Sequence, residues 1–351
     1  MTKQLLKSLA FAAVAFFSLN SSAYAESYKV AWSHYTGWEA WGYIEESGIM
    51  DKWAEKYGID VEVVLVNDYI ESINLYTAGE FDGVTATNMD ALTIPAIGGV
   101  DSSAIIIGDY SDGNDAIVAQ SADNIAGLKG LEVKLVELSV SHYLLARALD
   151  QNGLSERDLT LVNTSDADIG GLFMSDPAAN VVTWNPIVNE IKGKEGAKIL
   201  FDSSSIPGEI LDVMIVHTDA DEKLKKALVG AWYEAMTHMN GEAGDEQKAE
   251  ALGFMAQQAG GTLGQFEEQL KTTAMFYTPA KAIEYARPEL LKETMDYVRN
   301  FSFNKGLYAQ GMDSADAVGI ELPDASILGD TNNIRLRFDN SYMEMAAEGQ
   351  L

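Results

Sequence analysis

Carboxylates and tryptophans stand at the points where this chain turns from strand to helix, and those two residue types set the chemistry to consider. Within 67–95, NDYIESINLYTAGEFDGVTATNMDALTIP, the polar residues Asp68, Glu71, Asn88 and Asp90 fall at two such turns. Asp112, Glu137, Ser139 and Asp166, with Asp168, fall at others farther on, and Trp38, Trp41 and Trp184 lie beside strand ends. Carboxylates in a plane, with aromatic faces above and below, are the complement of a flat cation rich in N–H donors. The same carboxylates taken as a pair, Asp68 with Asp90, are also what a general acid and base would need.

Periodicity gives the elements that must position these side chains. An alternating run at 61–66 predicts a buried strand, and Ile70, Ile73 and Tyr76 at helical spacing predict a helix that starts near Asp68. Asn67 or Asp68 caps its start and Gly79 its end. A short strand at 81–84 leads to Thr87-Asn88-Met89-Asp90 and a further helix that Pro95 interrupts. Units of this kind gather ligand groups at the carboxyl edge of an open α/β sheet. Ahead of the unit, 28–32 predicts a strand, and a helix from Glu39 puts Trp38 and Trp41, three apart, on one face. Behind it, strands at 104–107 and 116–119 flank an acidic octet, 108–115. Its Asp-x-Ser-x-Gly-Asn-Asp pattern has the look of a calcium loop but lacks the glutamate at the twelfth position and the flanking helices. Strands follow at 131–136, 159–162, 181–184 and 211–216, the last apolar enough to be a return crossing. Helices then fill most of 221–301, and a polar tail, 313–351, is expected to pack on the first lobe.

The segments GWEAWGY, KWAEKYGI, NDYIESINLYTAGEFDG, TNMDALTIPAIGGVD and GDYSDGND resemble those of periplasmic solute-binding proteins of the nitrate/sulfonate/taurine class of ABC importers. More narrowly they resemble the binding proteins encoded near urea carboxylase, labelled urea or guanidine transport components. The resemblance spans most of the chain after residue 25. It implies an α/β protein with a two-lobed periplasmic-binding-protein fold (type II), mixed mostly parallel sheets and a ligand cleft between the lobes. It also implies an inner-membrane permease as partner, no cofactor, and transport rather than catalysis. In such a fold the strand-end turns at Glu137 and Ser139 and the Thr183-Trp184-Asn185-Pro186 step face the cleft.

Residues 1–25 have Lys3 and Lys7, an apolar segment at 9–19 and Ala23-Tyr24-Ala25 before Glu26, the layout of a secretory signal peptide. The apolar segment is shorter than the roughly 20 residues a membrane-spanning helix needs. With no cysteine, neither a lipid-modified N-terminus nor a disulfide can form, and a soluble periplasmic monomer is expected. The chain has 53 acidic and 24 basic residues, a formal net charge of −29. Nucleic acid and anionic membrane surfaces are poor partners for such a chain, while a cation would be drawn toward it. The length after the leader exceeds the roughly 250–300 residues at which one core stops growing, so two lobes are expected: 26–116 with 216–351, and 117–215.

The sequence holds four histidines at scattered positions and no HExxH, Gly-x-Ser-x-Gly, Gly-x-Gly-x-x-Gly or P-loop pattern. A carboxylate hydrolase is therefore left without a nucleophile or an oxyanion site. A thiamine-precursor binder of the same fold would present more aromatic stacking and a phosphate or pyrimidine site. The candidate turns carry Asp68, Glu71, Asp90, Asp112, Glu137, Asp166 and Asp168 and neither Arg nor Lys, which disfavours an oxyanion ligand. A small planar nitrogen compound fits better. Guanidinium is placed ahead of urea on charge, and the resemblance permits both.

Overall fold

The computed structural model describes residues 26–308 and 312–351; the expected leader lies outside the described residues. Thirteen strands and thirteen helices follow one another among them. The chain opens with β1 (Glu26–Trp32), α1 (Glu39–Glu46), α2 (Ile49–Tyr57), β2 (Ile59–Leu65), α3 (Tyr69–Thr77), β3 (Gly83–Thr87), α4 (Asn88–Ala91) and β4 (Ser102–Tyr110). It continues with β5 (Asp115–Ala119), β6 (Glu132–Leu135), α5 (Val140–Gln151), β7 (Thr160–Asn163), α6 (Asp166–Ser175), β8 (Asn180–Trp184), α7 (Ile187–Ile191) and β9 (Lys198–Asp202). Next come β10 (Leu211–His217), α8 (Glu222–Asn240), α9 (Asp245–Gln258), α10 (Leu263–Leu270), α11 (Pro279–Tyr285) and α12 (Pro288–Asn304). The last are β11 (Gly319–Glu321), β12 (Ile327–Leu328), β13 (Ile334–Phe338) and α13 (Ser341–Ala347).

These strands make two sheets. One has eight strands in the order β12-β11-β13-β4-β10-β3-β1-β2, the other five in the order β7-β6-β8-β5-β9. β10 runs antiparallel to both β3 and β4, and β5 runs antiparallel to both β8 and β9. The chain changes sheet twice, at 111–114 and at 203–210. The cuts expected at 116/117 and 215/216 fall inside β5 and β10, because each crossing is made by a loop rather than by a strand. The polar tail is a strand system: β13 pairs in parallel with β4 and carries β11 and β12 to the sheet's outer edge.

Local chemistry accounts for the elements nearest the junction. Asp68 caps α3 by accepting from the Glu71 amide, and Thr87 caps α4 by accepting from the Asp90 amide. Gly79 follows α3 in the left-handed conformation expected of it (φ 81°). Pro95 lies inside a π-helical turn, Leu92–Ala96, that continues α4. Arg147 of α5 holds Glu209 of the second crossing with two 2.8 Å bonds, and its guanidinium lies 4.8 Å and 5.3 Å from the Tyr297 and Phe301 rings of α12. A pair that is bidentate and covered by rings fixes orientation better than an exposed one.

Behind the junction Trp41 stacks on Trp232 at 5.2 Å, and Trp232 lies flat against the backbone of Gly108 in β4. A Cβ at Gly108 would stand 2.8 Å from the Trp232 ring. Trp232 is itself fully buried and has nowhere to go. Gly108→Ala is therefore expected to lose about 1–3 kcal/mol of stability in guanidine-free urea denaturation; an unchanged midpoint would show that the ring can move aside.

Candidate functional site

Sheet register builds the centre of the site. Because β10 lies between β3 and β4, Asp212 is opposite Thr87 on one side and Asp109 on the other. Asp115, the first residue of β5, is opposite Trp184 at the end of β8. Asp90 joins them from the first turn of α4. All four carboxylates are at most 3% exposed. Asp90 Oδ2 accepts from the Tyr69 hydroxyl (2.7 Å), the Thr87 hydroxyl (3.0 Å) and the Val140 amide across the junction (3.1 Å). Asp109 accepts from the Tyr35 hydroxyl (2.8 Å), and Asp115 from the Ser111 hydroxyl (2.6 Å). Neither oxygen of Asp212 meets a donor, nor does Asp109 Oδ2.

Like charges directly opposite in a ladder are unfavourable even at a surface. Two full charges about 4 Å apart repel by about 4 kcal/mol at an effective dielectric of about 20. Burial pushes Asp115 up to about 7 and Asp90 up to about 6, the three donors to Asp90 holding it lower than burial alone would. Burial also raises Asp109 and Asp212, and Asp212 is raised further by the charges of Asp109 and Asp115. Asp109 and Asp212 can coexist only by sharing a proton or a cation.

Aromatic rings wall this cluster. Trp38 lies 5.0 Å from Tyr35 and 5.5 Å from Tyr69, and Trp184 meets Tyr69 edge-on at 5.5 Å. Tyr35, Trp38, Tyr69 and Trp184 enclose, with Thr87, Asp115, Val140 and Asp212, a cavity of about 10 Å³. None of these eight is Lys or Arg. So small a space means that the rings already touch. Hydrogen bonds join the two lobes around it: besides the Val140 amide on Asp90, Trp184 Nε1 donates to the His34 carbonyl (2.9 Å), Ser165 Oγ to Asp68 (2.8 Å), the Tyr69 amide to Asp166 (3.4 Å) and Asn185 Nδ2 to Thr272 (3.2 Å). Outside them an open cleft of about 400 Å³ is lined by His34, Asn67, Asp166, Glu190 and Gln258 among others. Burial, then the neighbouring charge of Asp68, pushes Asp166 up to about 6. Burial lowers His34, but its 2.8 Å contact with buried Glu39 more than offsets this and leaves it raised.

The residues singled out in the sequence divide accordingly. Trp38, Asp90 and Trp184 stand around the buried cluster, and Asp68 and Asp166 face each other at its mouth. Ser139 is one step away: it caps α5 and so sets the Val140 amide that reaches Asp90. The others lie elsewhere. Trp41 stacks on Trp232 in the core of the first lobe, and there, with Trp38 and Asp212, it lines a second small space of about 10 Å³ behind the cluster. Asn88 is used up in fixing the second crossing, donating to the Glu209 carbonyl and accepting from the Leu211 amide. Glu71, Glu137 and Asp168 are exposed, and Asp112 sits half-buried in the first crossing with its amide on Thr272.

Asp109, Asp115 and Asp212 were missed. The signal for Asp212 was there, a carboxylate inside the apolar run Leu-Asp-Val-Met-Ile-Val, since a buried polar group is the informative exception to the rule of apolar interiors. Asp109 and Asp115 are the first and last acids of the octet read as a weak calcium loop.

No protein-family model matches the chain, and no curated protein matches it. Solved structures do match. The alkanesulfonate-binding protein SsuA of Xanthomonas axonopodis pv. citri, bound to MOPS, superimposes with a TM-score of 0.67 at 15% identity, covering 84% of this chain and 99% of that one. This chain has the two-lobed type II periplasmic-binding-protein fold. The periplasmic nitrate-binding protein NrtA of Synechocystis PCC 6803 gives a TM-score of 0.66 at 11% identity over 93% of this chain and 89% of its own. The aliphatic sulphonate-binding protein SsuA of Escherichia coli gives 0.62 at 16% over 81% and 94%. In the two-lobed frame, Asp90, Asp109 and Asp212 belong to the eight-stranded lobe and Asp115 to the five-stranded lobe.

An acid whose folded pKa lies above its unfolded value keeps its proton longer when folded, so the stability it contributes is fully present below the unfolded value and is lost as pH rises through the folded one. For Asp90 and Asp115, raised from 3.8 to about 6 and about 7, the window runs from about pH 4 to about pH 7. The thermal midpoint of the ligand-free protein is expected to rise as pH is lowered across that window, and Asp212→Asn to reduce the rise. A midpoint that falls steadily on acidification would show that these carboxylates are not buried together.

Proposed function

We propose that this chain is the solute-binding component of an ABC importer, working in the periplasm, and that its solute is a small planar nitrogen cation, guanidinium ahead of urea. The observation that carries the reading is Asp212: a carboxylate 1% exposed, with neither oxygen bonded, beside Asp109 and Asp115 in an aromatic enclosure without a cationic side chain. A buried carboxylate in this position calls for a positive charge with donors in its plane. Guanidinium supplies both, and Trp38, Tyr69 and Trp184 supply ring faces and edges for its flat surfaces. Urea offers donors but no charge, and leaves the carboxylates uncompensated. The solute would be carried to an inner-membrane permease driven by a separate ATPase. Binding without turnover is the expected behaviour.

The structural neighbours named for sulfonate or nitrate binding make an anion the second reading. A sulfonate in this cavity would face the carboxylates of Asp115 and Asp212, with Asp90 and Asp109 close behind and no cationic side chain in the lining, and repulsion and desolvation both oppose it. Calorimetric titration of the protein lacking residues 1–25 separates the readings. Guanidinium is expected to bind one-to-one and more tightly than urea, with no heat from nitrate, taurine or an alkanesulfonate. Asp212→Asn is expected to weaken guanidinium by about 2–5 kcal/mol. Micromolar affinity for any of the anions, or an unchanged guanidinium affinity in Asp212→Asn, would overturn the assignment of this cavity.

A further inference from the structure

Three of the four buried carboxylates belong to the lobe with eight strands, and only Asp115 is brought by the other. Asp115 lies at the start of β5, immediately after the first crossing, and its carboxylate accepts from Ser111 within that crossing (2.6 Å). The Ser111 hydroxyl also meets that of Ser203, at the start of the second crossing (2.7 Å), and Ser203 accepts from the Gly113 amide (2.7 Å). The carboxylate is thus attached to both links on which the lobes turn. Facing it are Asp109 on β4, Asp212 on β10, Asp90 on α4 and the phenols of Tyr35 and Tyr69. From its own sheet the residue opposite is Trp184, which is uncharged. Arg147, the cation on α5, is engaged by Glu209.

We propose that Asp115 makes closure of the lobes depend on a positive charge between them, and so sets the preference for a small cation over a neutral molecule of the same shape. The proposal rests on the reading of this cavity as a cation site. Parting the lobes returns Asp115 to water and separates it from Asp109 and Asp212. Closing them brings one more carboxylate against a pair in which three of the four oxygens lack a donor among the described residues. With the acids ionised and nothing between them, repulsion holds the lobes apart; a cation, or protons, removes it. At the mouth Asp68 of one lobe also approaches Asp166 of the other, but there each carboxylate accepts a hydrogen bond from across the junction. Charge therefore decides whether the cleft shuts, and the rings decide what fits once it has.

Small-angle scattering on the wild-type protein lacking residues 1–25 tests this without a variant. The ligand-free protein is expected to be extended at about pH 8 and to compact at about pH 5, where protons replace the cation. Guanidinium chloride at about pH 8 should produce the same compaction, and urea should not. Asp115→Asn, which keeps an acceptor for Ser111, is expected to weaken guanidinium by about 30-fold or more. The same substitution should leave urea unchanged or tighter, so that the ratio of the two affinities falls. Equal radii at both pH values, or equal losses for both solutes in Asp115→Asn, overturn the proposal while leaving guanidinium binding to stand by itself. Acid compaction in a protein that binds neither solute sinks the ligand assignment and upholds the charge dependence.

Discussion

The structure turns on a buried carboxylate pair whose one donor is the Tyr35 hydroxyl on Asp109. Asp109 and Asp212 face each other across the β4–β10 ladder, and the fold offers them neither an amide nor a basic side chain. Proteins seldom leave such groups in the interior, since the charged form is costly to desolvate and two of them repel. Everything nearby is arranged as though the compensation were to come from outside. The strand that carries Asp212 is central and fully covered, the rings of Tyr35, Trp38, Tyr69 and Trp184 exclude water, and the second lobe adds a further acid rather than a base.

The molecule contains its own example of how a guanidinium is held. Arg147 lies in the plane of Glu209 with two parallel bonds, takes part of its cover from Tyr297 and Phe301, and shares the carboxylate with the Tyr143 hydroxyl at 2.7 Å. The buried cluster repeats the ingredients, in-plane carboxylate, ring and phenol, but leaves out the cation. That contrast within one chain separates an ion pair complete in itself from a cluster of acids without a cationic side chain, which is what the proposed cation site rests on.

The class of fold was legible from the alternation of strands and helices and from the capping residues. The unit 67–95 forms the elements expected of it, with Asp68 and Thr87 capping successive helices. Less of the site could be read, for a physical reason. Strand ends announce themselves through turn residues, so Asp90 and Trp184 were visible. Asp212 lies inside a strand, where a carboxylate among alternating residues looks as if it points to solvent. Only the position of β10 between two other strands, with cover on both faces, shows that it does not. Glu137 failed in the opposite sense: it has the right turn but the exposed side of it. The strands β9 and β11 to β13 were missed because they are short and only partly buried, and so carry little of the periodicity that reveals a core strand.

The weaving of the larger sheet also constrains the order of assembly. The five-stranded sheet is drawn from one uninterrupted stretch, 115–202, whereas the eight-stranded sheet needs β10 to enter between β3 and β4, and β13 to cover the other side of β4. A ribosome that has delivered two-thirds of the chain has made a complete small lobe and only a fragment of the large one. Pairings so distant in sequence close slowly, after the local ones. The strand bearing Asp109 thus gains its last neighbour only when residue 338 has arrived, but that neighbour meets β4 at Ser102–Ala104, away from Asp109, so the outer part of the large sheet is finished after the carboxylate cluster.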